Sequence, residues 1–401
     1  MLNMLLIATA LLVAAYLAFS PRLRRSSCWK ATVTPLASIM GSGFLVSAPL
    51  LGLTVGNYAV LFMAMLLLLA YMVGGAIRFN IRHFEPVANR HGSVQHIALL
   101  SRMVLAVAYF ISVTYYLQLL AVFLLKAVGL RGELYANLVT TTLLLIIGGV
   151  GMWRGLGQLE KVESYAVSLN LGMITALLLG LVLYNSKLWL AGQWQLSQVS
   201  SEIDWHDIRV LLGLLIVVQG FETSRYLQEE HSANERVVTM RYAQWLSSGI
   251  YLLFIGLVTV LFQTQMTADV TAITTMITPV AVVLPLMIAI AAIGSQFSAA
   301  VADTSGAGGL IAEIVHHKLP PRYAYLAITL VTVLLTWETN VNEIIAYASR
   351  AFALFYLLQS VVALMLAWQT PTLHGRKTKL LRFGFCVLAC ALVFVLGLPS
   401  E

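Results

Sequence analysis

Apolar runs of about twenty residues, long enough to cross a hydrocarbon core as helices, recur along the whole chain with short polar breaks between them. They fall near 1–19, 31–54, 57–78, 96–128, 134–152, 163–184, 207–228, 241–262, 279–315, 322–337, 342–368 and 381–398. The pattern predicts an all-α polytopic membrane protein with twelve transmembrane helices. The run 263–280 begins too polar to span and is expected to form an external loop with short helices. Two spans carry glycine breaks at their centres. One is Met40-Gly41-Ser42-Gly43-Phe44; the other is Gln219-Gly220-Phe221-Glu222-Thr223. Glycine lets backbone leave a helix without a side-chain penalty. Interrupted spans in corresponding positions of two halves point to a binding site where repeats meet.

Composition narrows the class further. With 60% hydrophobic and 10% charged residues among 401, and a mean hydropathy of +0.87, the chain is not an ordinary soluble domain. A net charge of +7 would suit nucleic acid only if it gathered on one soluble face, and the basic residues instead punctuate the apolar runs. Alternate loops carry Arg22, Arg24, Arg25, Lys30, Arg78, Arg82, Arg90, Arg154, Lys161, Arg236, Arg241, Lys318, Arg322, Arg376, Lys377, Lys379 and Arg382, against Lys126, Arg131, Lys187 and Arg209 on the other side. By the positive-inside rule both termini then lie outside an inner membrane. The run Leu2 to Phe19 lacks a charged n-region and is read as a retained helix rather than a signal peptide. Cys28, Cys386 and Cys390 offer neither a disulfide framework nor a metal set, and no cofactor is called for. No Gly-x-x-x-x-Gly-Lys loop is present, which argues against primary pumping. Histidines and acids do not cluster at ligand spacing, so an enzyme is not expected.

The candidate chemistry lies in the few polar residues at membrane depth. A charged side chain there costs roughly 2.5 to 3.5 kcal/mol on insertion scales, so Glu222 is a functional candidate by default. Its competing role is an ion pair with Arg225 one turn on. Asp303 is the second buried acid, within the polar run Ser295 to Ser305 that includes Thr304. Small polar residues of that kind also serve plain helix packing. Tyr109, Ser112 and Tyr116 recur three and four apart and share one helix face, as a cavity lining or a packing stripe would. Arg350 could pair with Asp303 or Glu222, or act as a structural counter-ion. Glu338 and Glu343 flank a turn and are expected to be solvated.

These stretches resemble the amino acid, polyamine and organocation (APC) superfamily of transporters with the LeuT-type fold. The likeness rests on Gly41-Ser42-Gly43-Phe44 followed by Pro49 and Gly56, on Gly220-Phe221-Glu222 followed by Glu229-Glu230 and Glu235-Arg236, on Gly157 to Glu163, and on Leu319-Pro320-Pro321-Arg322. The extra N-terminal span and the missing prolines after the Gly-Phe-Glu stretch depart from the pattern. The resemblance implies a 5+5 inverted repeat with broken first and sixth core helices. Residues 1–30 would hold an extra helix and a cytoplasmic loop, 31–184 the first repeat, 185–206 an external loop, 207–368 the second repeat, and 369–401 a last transmembrane helix. Substrate would contact Ser38, Gly41, Ser42, Gly43, Phe44, Tyr109, Ser112, Tyr116, Gln219, Gly220, Phe221, Glu222 and Thr223. Ion coupling would fall to Glu222, Asp303, Thr304 and Ser305. The implied activity is secondary active transport of an amino acid or related small amine, coupled to protons or sodium. The implied partners are that solute, the co-transported ion and membrane lipid, with no nucleic acid. Import of an inorganic cation such as potassium, and a solute sensor that does not transport, are the competing readings.

Overall fold

The structure, a computed structural model, describes residues 1–130, 132–197, 199, 202–227, 231–263, 269–315 and 320–399, with backbone alone at 42, 154, 157–164 and 321. Its main helices are α1 (Leu2–Phe19), α2 (Ser27–Val55), α3 (Ala59–His83), α4 (Ser93–Ala127), α5 (Glu133–Arg154), α6 (Gly157–Leu190), α7 (Trp205–Gly213), α8 (Ala233–Val258), α9 (Leu284–Ile314), α10 (Pro321–Glu338), α11 (Val341–Gln369) and α12 (Arg376–Leu396). Among the described residues, nine helical stretches are long and apolar enough to cross a membrane, one of them running from Ser27 to His83 through both α2 and α3. The protein is thus a multi-pass membrane protein. Gly56, at φ 52°, ends α2 and turns the chain into α3.

Several helices begin where side chains take up the first free N–H groups. Ser26 accepts from the Trp29 amide at 3.1 Å, and Ser232 accepts from the Glu235 amide at 3.3 Å. Asp204 with Asp207 and Asn340 with Glu343 form reciprocal capping boxes at α7 and α11. Glu343 is therefore a cap rather than a merely solvated acid, whereas Glu338 is exposed as expected. Helices also outrun the apolar windows, since hydrogen bonding continues into polar flanks. Helix α6 reaches Leu190, so the expected loop 185–206 starts later. Trp189 and Trp205 beside it are 71% and 61% exposed, as interfacial aromatics are. Within 263–280 the described part includes the short helix Ala272–Met276.

Helix α4 is the central post, packed by α9, α11, α5 and α10, while α2 packs on α8. Its central residues Tyr109, Ser112, Tyr115 and Tyr116 are buried. Cys386 and Cys390 are both buried, in packing rather than lipid contact. At the periphery α1 lies along α6 through Leu6, Ala10 and Ala14. Glycine permits that approach: a Cβ at Gly172 would collide with the Ala10 carbonyl and come within 3.0 Å of Ala14.

Gly172→Leu is expected to destabilise the protein by about 1 to 3 kcal/mol through overpacking. Leu at Gly149, where a Cβ meets nothing within 4 Å, should leave the melting temperature in detergent unchanged. Equal melting of the two variants would refute the α1–α6 contact.

Candidate functional site

Both glycine breaks are present, in unequal form. In the first, α2 continues on either side of a kink at Gly43 (φ 176°, ψ 13°); it is a one-residue interruption and not the longer unwinding expected over Met40 to Phe44. In the second, α7 ends at Gly213 and passes into a 3-10 turn, Leu215–Val218. Gln219 is then extended and Gly220 left-handed at φ 114°, before a second 3-10 turn, Phe221–Tyr226. The two breaks touch. A Cβ on Gly43 would sit 2.7 Å from the Val217 backbone, and one on Gly220 would sit 2.6 Å from the carbonyl carbon of Ser38. Glycine is required at 220 on two counts, positive φ and close approach. Gly41 differs, because a Cβ there would meet Ala299 at an ordinary 3.6 Å.

Breaking a helix inside a bundle frees backbone groups that water cannot reach, so other partners must take them. The Tyr251 hydroxyl of α8 donates to the Val217 carbonyl and lies 3.2 Å from that of Ile39, bridging the two breaks. Gln296 of α9 donates to the Gly41 carbonyl at 2.8 Å, and Ser47 to that of Phe44 at 2.6 Å. Ser349 of α11 accepts from the Ile216 amide at 2.9 Å. Glu222 closes the set: its Oε2 accepts from the Gly220 amide at 3.0 Å and from the Tyr356 hydroxyl at 2.7 Å.

Glu222 is 1% exposed, and its Oε1 has no hydrogen-bond partner among the described residues. The ion pair with Arg225, the competing role, is not formed. Arg225 instead lies over the Phe84 ring, and its carbonyl accepts from Arg236 at 3.0 Å. Phe221 stacks on Tyr356 with ring centroids 5.1 Å apart, and Phe44 packs against Tyr251 and Phe254. Gln219 donates to the Tyr116 hydroxyl at 2.7 Å, which ties the second break to α4. Thr223 donates back to the Gly220 carbonyl at 2.8 Å. Ser38 is half-buried beside Gly220; the side chain of Ser42 lies outside the described residues.

The remaining expected residues form a second polar group one layer away. Ser112 of α4 donates to Asp303 of α9 in a buried contact, and Tyr109 packs edge-on to Phe352 and against Gly306. Thr304 turns its hydroxyl to the Ala300 carbonyl of its own helix at 2.7 Å, and Ser305 is half-buried. Arg350 does not pair with either acid: its Nε donates to the Phe394 carbonyl of α12 at 2.8 Å.

Tyr251, Tyr356, Gln296 and Ser47 were not singled out by the sequence, and Ser349 stood out only as a neighbour of Arg350. Gln296 stood within the Ser295–Ser305 polar run, and a hydroxyl needing a buried partner is a signal that Tyr356 carries. Tyr251 sits in an apolar helix with nothing nearby to mark it.

At one end of the bundle Arg236 grips Glu85 with two hydrogen bonds of 2.9 and 2.6 Å. At the other, Lys126 meets Asp269 at 3.2 Å beside a cavity of about 340 Å³ lined by Gln118, Glu133 and Asn137.

A family model described as APC superfamily transporter matches residues 21–397. A protein of Aquifex aeolicus (strain VF5), named only as uncharacterized, is 45% identical over 390 residues, covering 95% of this chain and 93% of its own length. Among solved structures the fold is similar to that of a manganese transporter of Eremococcus coleocola in complex with an aromatic bis-isothiourea substituted compound. That match has a TM-score of 0.58 at 14% identity and covers 92% of this chain and 87% of the other. A mutant of the same transporter aligns with a TM-score of 0.57.

Gly220→Ala should abolish function or folding, because it adds both positive-φ strain and a clash with Ser38. Gly41→Ala is expected to be tolerated. Tyr251→Phe removes the one hydroxyl proton that bridges the Val217 and Ile39 carbonyls and should cost about 1 to 3 kcal/mol in stability. Thermal melting of the purified variants reads all three, and a Gly220→Ala protein as stable as Gly41→Ala would overturn the assignment.

Proposed function

The chain belongs to the APC superfamily of transporters, and within it we propose a secondary active transporter that moves an amino acid or related small amine by alternating access. Twelve crossings arranged as two inverted repeats, 31–184 and 207–368, with flanking helices at 1–30 and 369–401, are the architecture this reading uses. The observation that carries it is the junction of the two breaks around Glu222. One carboxyl oxygen is engaged by Gly220 and Tyr356, and the other is buried and unbonded among the described residues. Half-helix ends of this kind attract the charged groups of a zwitterion. Phe44, Phe221 and the neighbouring tyrosines supply apolar and aromatic walls for a side chain or an alkyl amine.

The proposed coupling ion is a proton carried by Glu222, with Asp303 as a second candidate. Proton transfer at Oε1 leaves the Oε2 contacts that hold the break in place. Sodium would call on Thr304 and Ser305, and the turn of the Thr304 hydroxyl towards Ala300 favours the proton. An inner membrane with both termini outside is the location that fits the charge distribution.

A second reading has support of its own: solved structures with a similar fold include those of a manganese transporter. Against a divalent-cation site, no three His, Cys, Asp or Glu side chains gather as a metal set among the described residues.

The test is uptake into proteoliposomes of a panel of amino acids, amines, rubidium and manganese, with and without pH and sodium gradients. Saturable, pH-driven accumulation of an organic solute is expected. Glu222→Gln should lose that accumulation while retaining exchange of solute down its own gradient. Flux of manganese or rubidium alone would replace the organic substrate, and accumulation by Glu222→Gln that is unchanged across pH would remove Glu222 from coupling.

A further inference from the structure

Away from the broken helices, one recess gathers positive charge without an answering negative one. It lies at the end of α3, between α3, α8 and α12, and has a volume of about 200 Å³. Arg78, Arg82 and His83 face it from α3, Arg241 from α8, and Lys379 and Arg382 from α12. No carboxylate lines it, and none of these groups forms an ion pair among the described residues. Ordinary topology places basic residues at such a boundary, but it does not turn them inward towards one another. Here three of them are turned inward, while Arg82 and His83 stay exposed at the rim: Arg78 is 6% exposed, and the Nε atoms of Arg241 and Arg382 are buried without a hydrogen-bond partner among the described residues.

The recess is also built. Arg78 donates to Gln244, which in turn donates to the Ala70 carbonyl at 2.9 Å. Arg382 reaches the Tyr71 carbonyl at 3.3 Å. Gly75 leaves the space for it, since a Cβ there would collide with the Arg382 guanidinium. Tyr71, Gly75, Arg78 and Arg82 fall on one face of α3 at spacings of four, three and four. Several guanidinium and ammonium groups converging on an unfilled space call for a bidentate oxyanion, above all a phosphate.

Two features point to a phosphate attached to a lipid. Tyr242 and Trp245, which follow Arg241 on α8, are 47% and 54% exposed, at the depth where aromatic rings meet headgroups. Along α3 the face that carries Tyr71 continues away from the recess into Leu68 and Leu61, 60% and 51% exposed, an apolar track for an acyl chain. We propose that this recess binds the phosphate of an anionic phospholipid, clamping α3, α8 and α12 together at the membrane boundary. Basic pockets between transmembrane helices take such headgroups by this chemistry. The clamp would bear on the central site through α8, which also carries Tyr251.

The experiment is native mass spectrometry of the full chain in neutral detergent, titrated with phosphatidylglycerol, phosphatidylcholine or inorganic phosphate, alongside thermal melting. Phosphatidylglycerol should be retained in preference to phosphatidylcholine and should raise the melting temperature. Arg241→Gln with Arg382→Gln is expected to weaken its retention about tenfold or more. Gly75→Leu, which keeps every charge and fills the recess, should weaken it similarly. Equal retention of the two lipids by the unaltered protein overturns the proposal whatever the variants do. Retention that is unchanged in both variants also overturns it. Inorganic phosphate displacing the lipid at equal concentration would assign the recess to a soluble anion and reject the lipid.

Discussion

Backbone polar groups set free inside a bilayer have no water to turn to, and each left unbonded costs several kcal/mol. The whole centre of this protein follows from that constraint. Two breaks brought into contact expose carbonyls of Ile39, Gly41, Phe44 and Val217 and amides of Ile216 and Gly220. Four side chains drawn from α2, α8, α9 and α11, together with Glu222 itself, take them up, and Tyr356 of α11 holds Glu222 in turn. The donors and acceptors come from helices far apart in sequence, so the breaks are stable only once the bundle has assembled around them. This is the sense in which the site and the fold are one structure.

Glu222 holds a particular place in that economy. From within its 3-10 turn Glu222 reaches back to the amide of Gly220, the residue before that turn, as the acid of a capping box does, here at membrane depth. Its Oε2 does structural service with Gly220 and Tyr356, and its Oε1 does not. Arg225 could have neutralised it, yet turns to the Phe84 ring, while Arg350 turns to α12. The acid is thus held by neutral donors, its Oε1 unbonded among the described residues. Asp303 also accepts from a neutral hydroxyl, that of Ser112, across α4 and α9.

What was legible in the sequence divides along the same line. Hydrophobic length and glycine position are local signals, so the helices, the break at Gln219–Gly220 and the burial of Glu222 and Asp303 could be read directly. The extent of each break could not. Gly41 and Gly43 look alike in sequence, but only Gly43 lies against Val217, and α2 bends at that one residue. Pairing of charges was the least readable part. Arg225 one turn from Glu222 suggests an intrahelical pair, and the 3-10 turn Phe221–Tyr226 aligns the two positions, yet tertiary partners take each side chain elsewhere, Arg225 over Phe84 and Glu222 onto Gly220 and Tyr356. Tyr251 was invisible for another reason: its value lies in two carbonyls contributed by separate helices, and no periodicity along α8 reports them.

The two ends of the bundle are held unequally, and the difference bears on how the site would open. At the α8 end the Arg236–Glu85 pair is double, with side chains 3% and 21% exposed, and Arg236 also bonds the carbonyls of His231 and Arg225. Removing one partner of such a buried pair costs about 3 to 5 kcal/mol. At the α4 end Lys126 and Asp269 make a single contact at 25% and 44% exposure, and the same ammonium meets the Thr271 carbonyl and hydroxyl at 2.9 and 2.8 Å. Burial pushes the Asp269 carboxyl up, but bonds from the Thr271 side chain and amide and the nearby Lys126 ammonium outweigh it and hold the group below the usual carboxylate range. It stays charged at neutral pH, yet a pair so exposed contributes about 0 to 1 kcal/mol. Separating helices at the Lys126 end therefore costs less than at the Arg236 end, and the 340 Å³ cavity stands on the weaker side. Alternating access would start from a molecule already biased to open there. The opposite opening requires something to compensate for the loss of the Glu85 grip, and on the proposed function a solute or proton at the junction would supply it through α8, since Tyr251 joins that helix to both breaks.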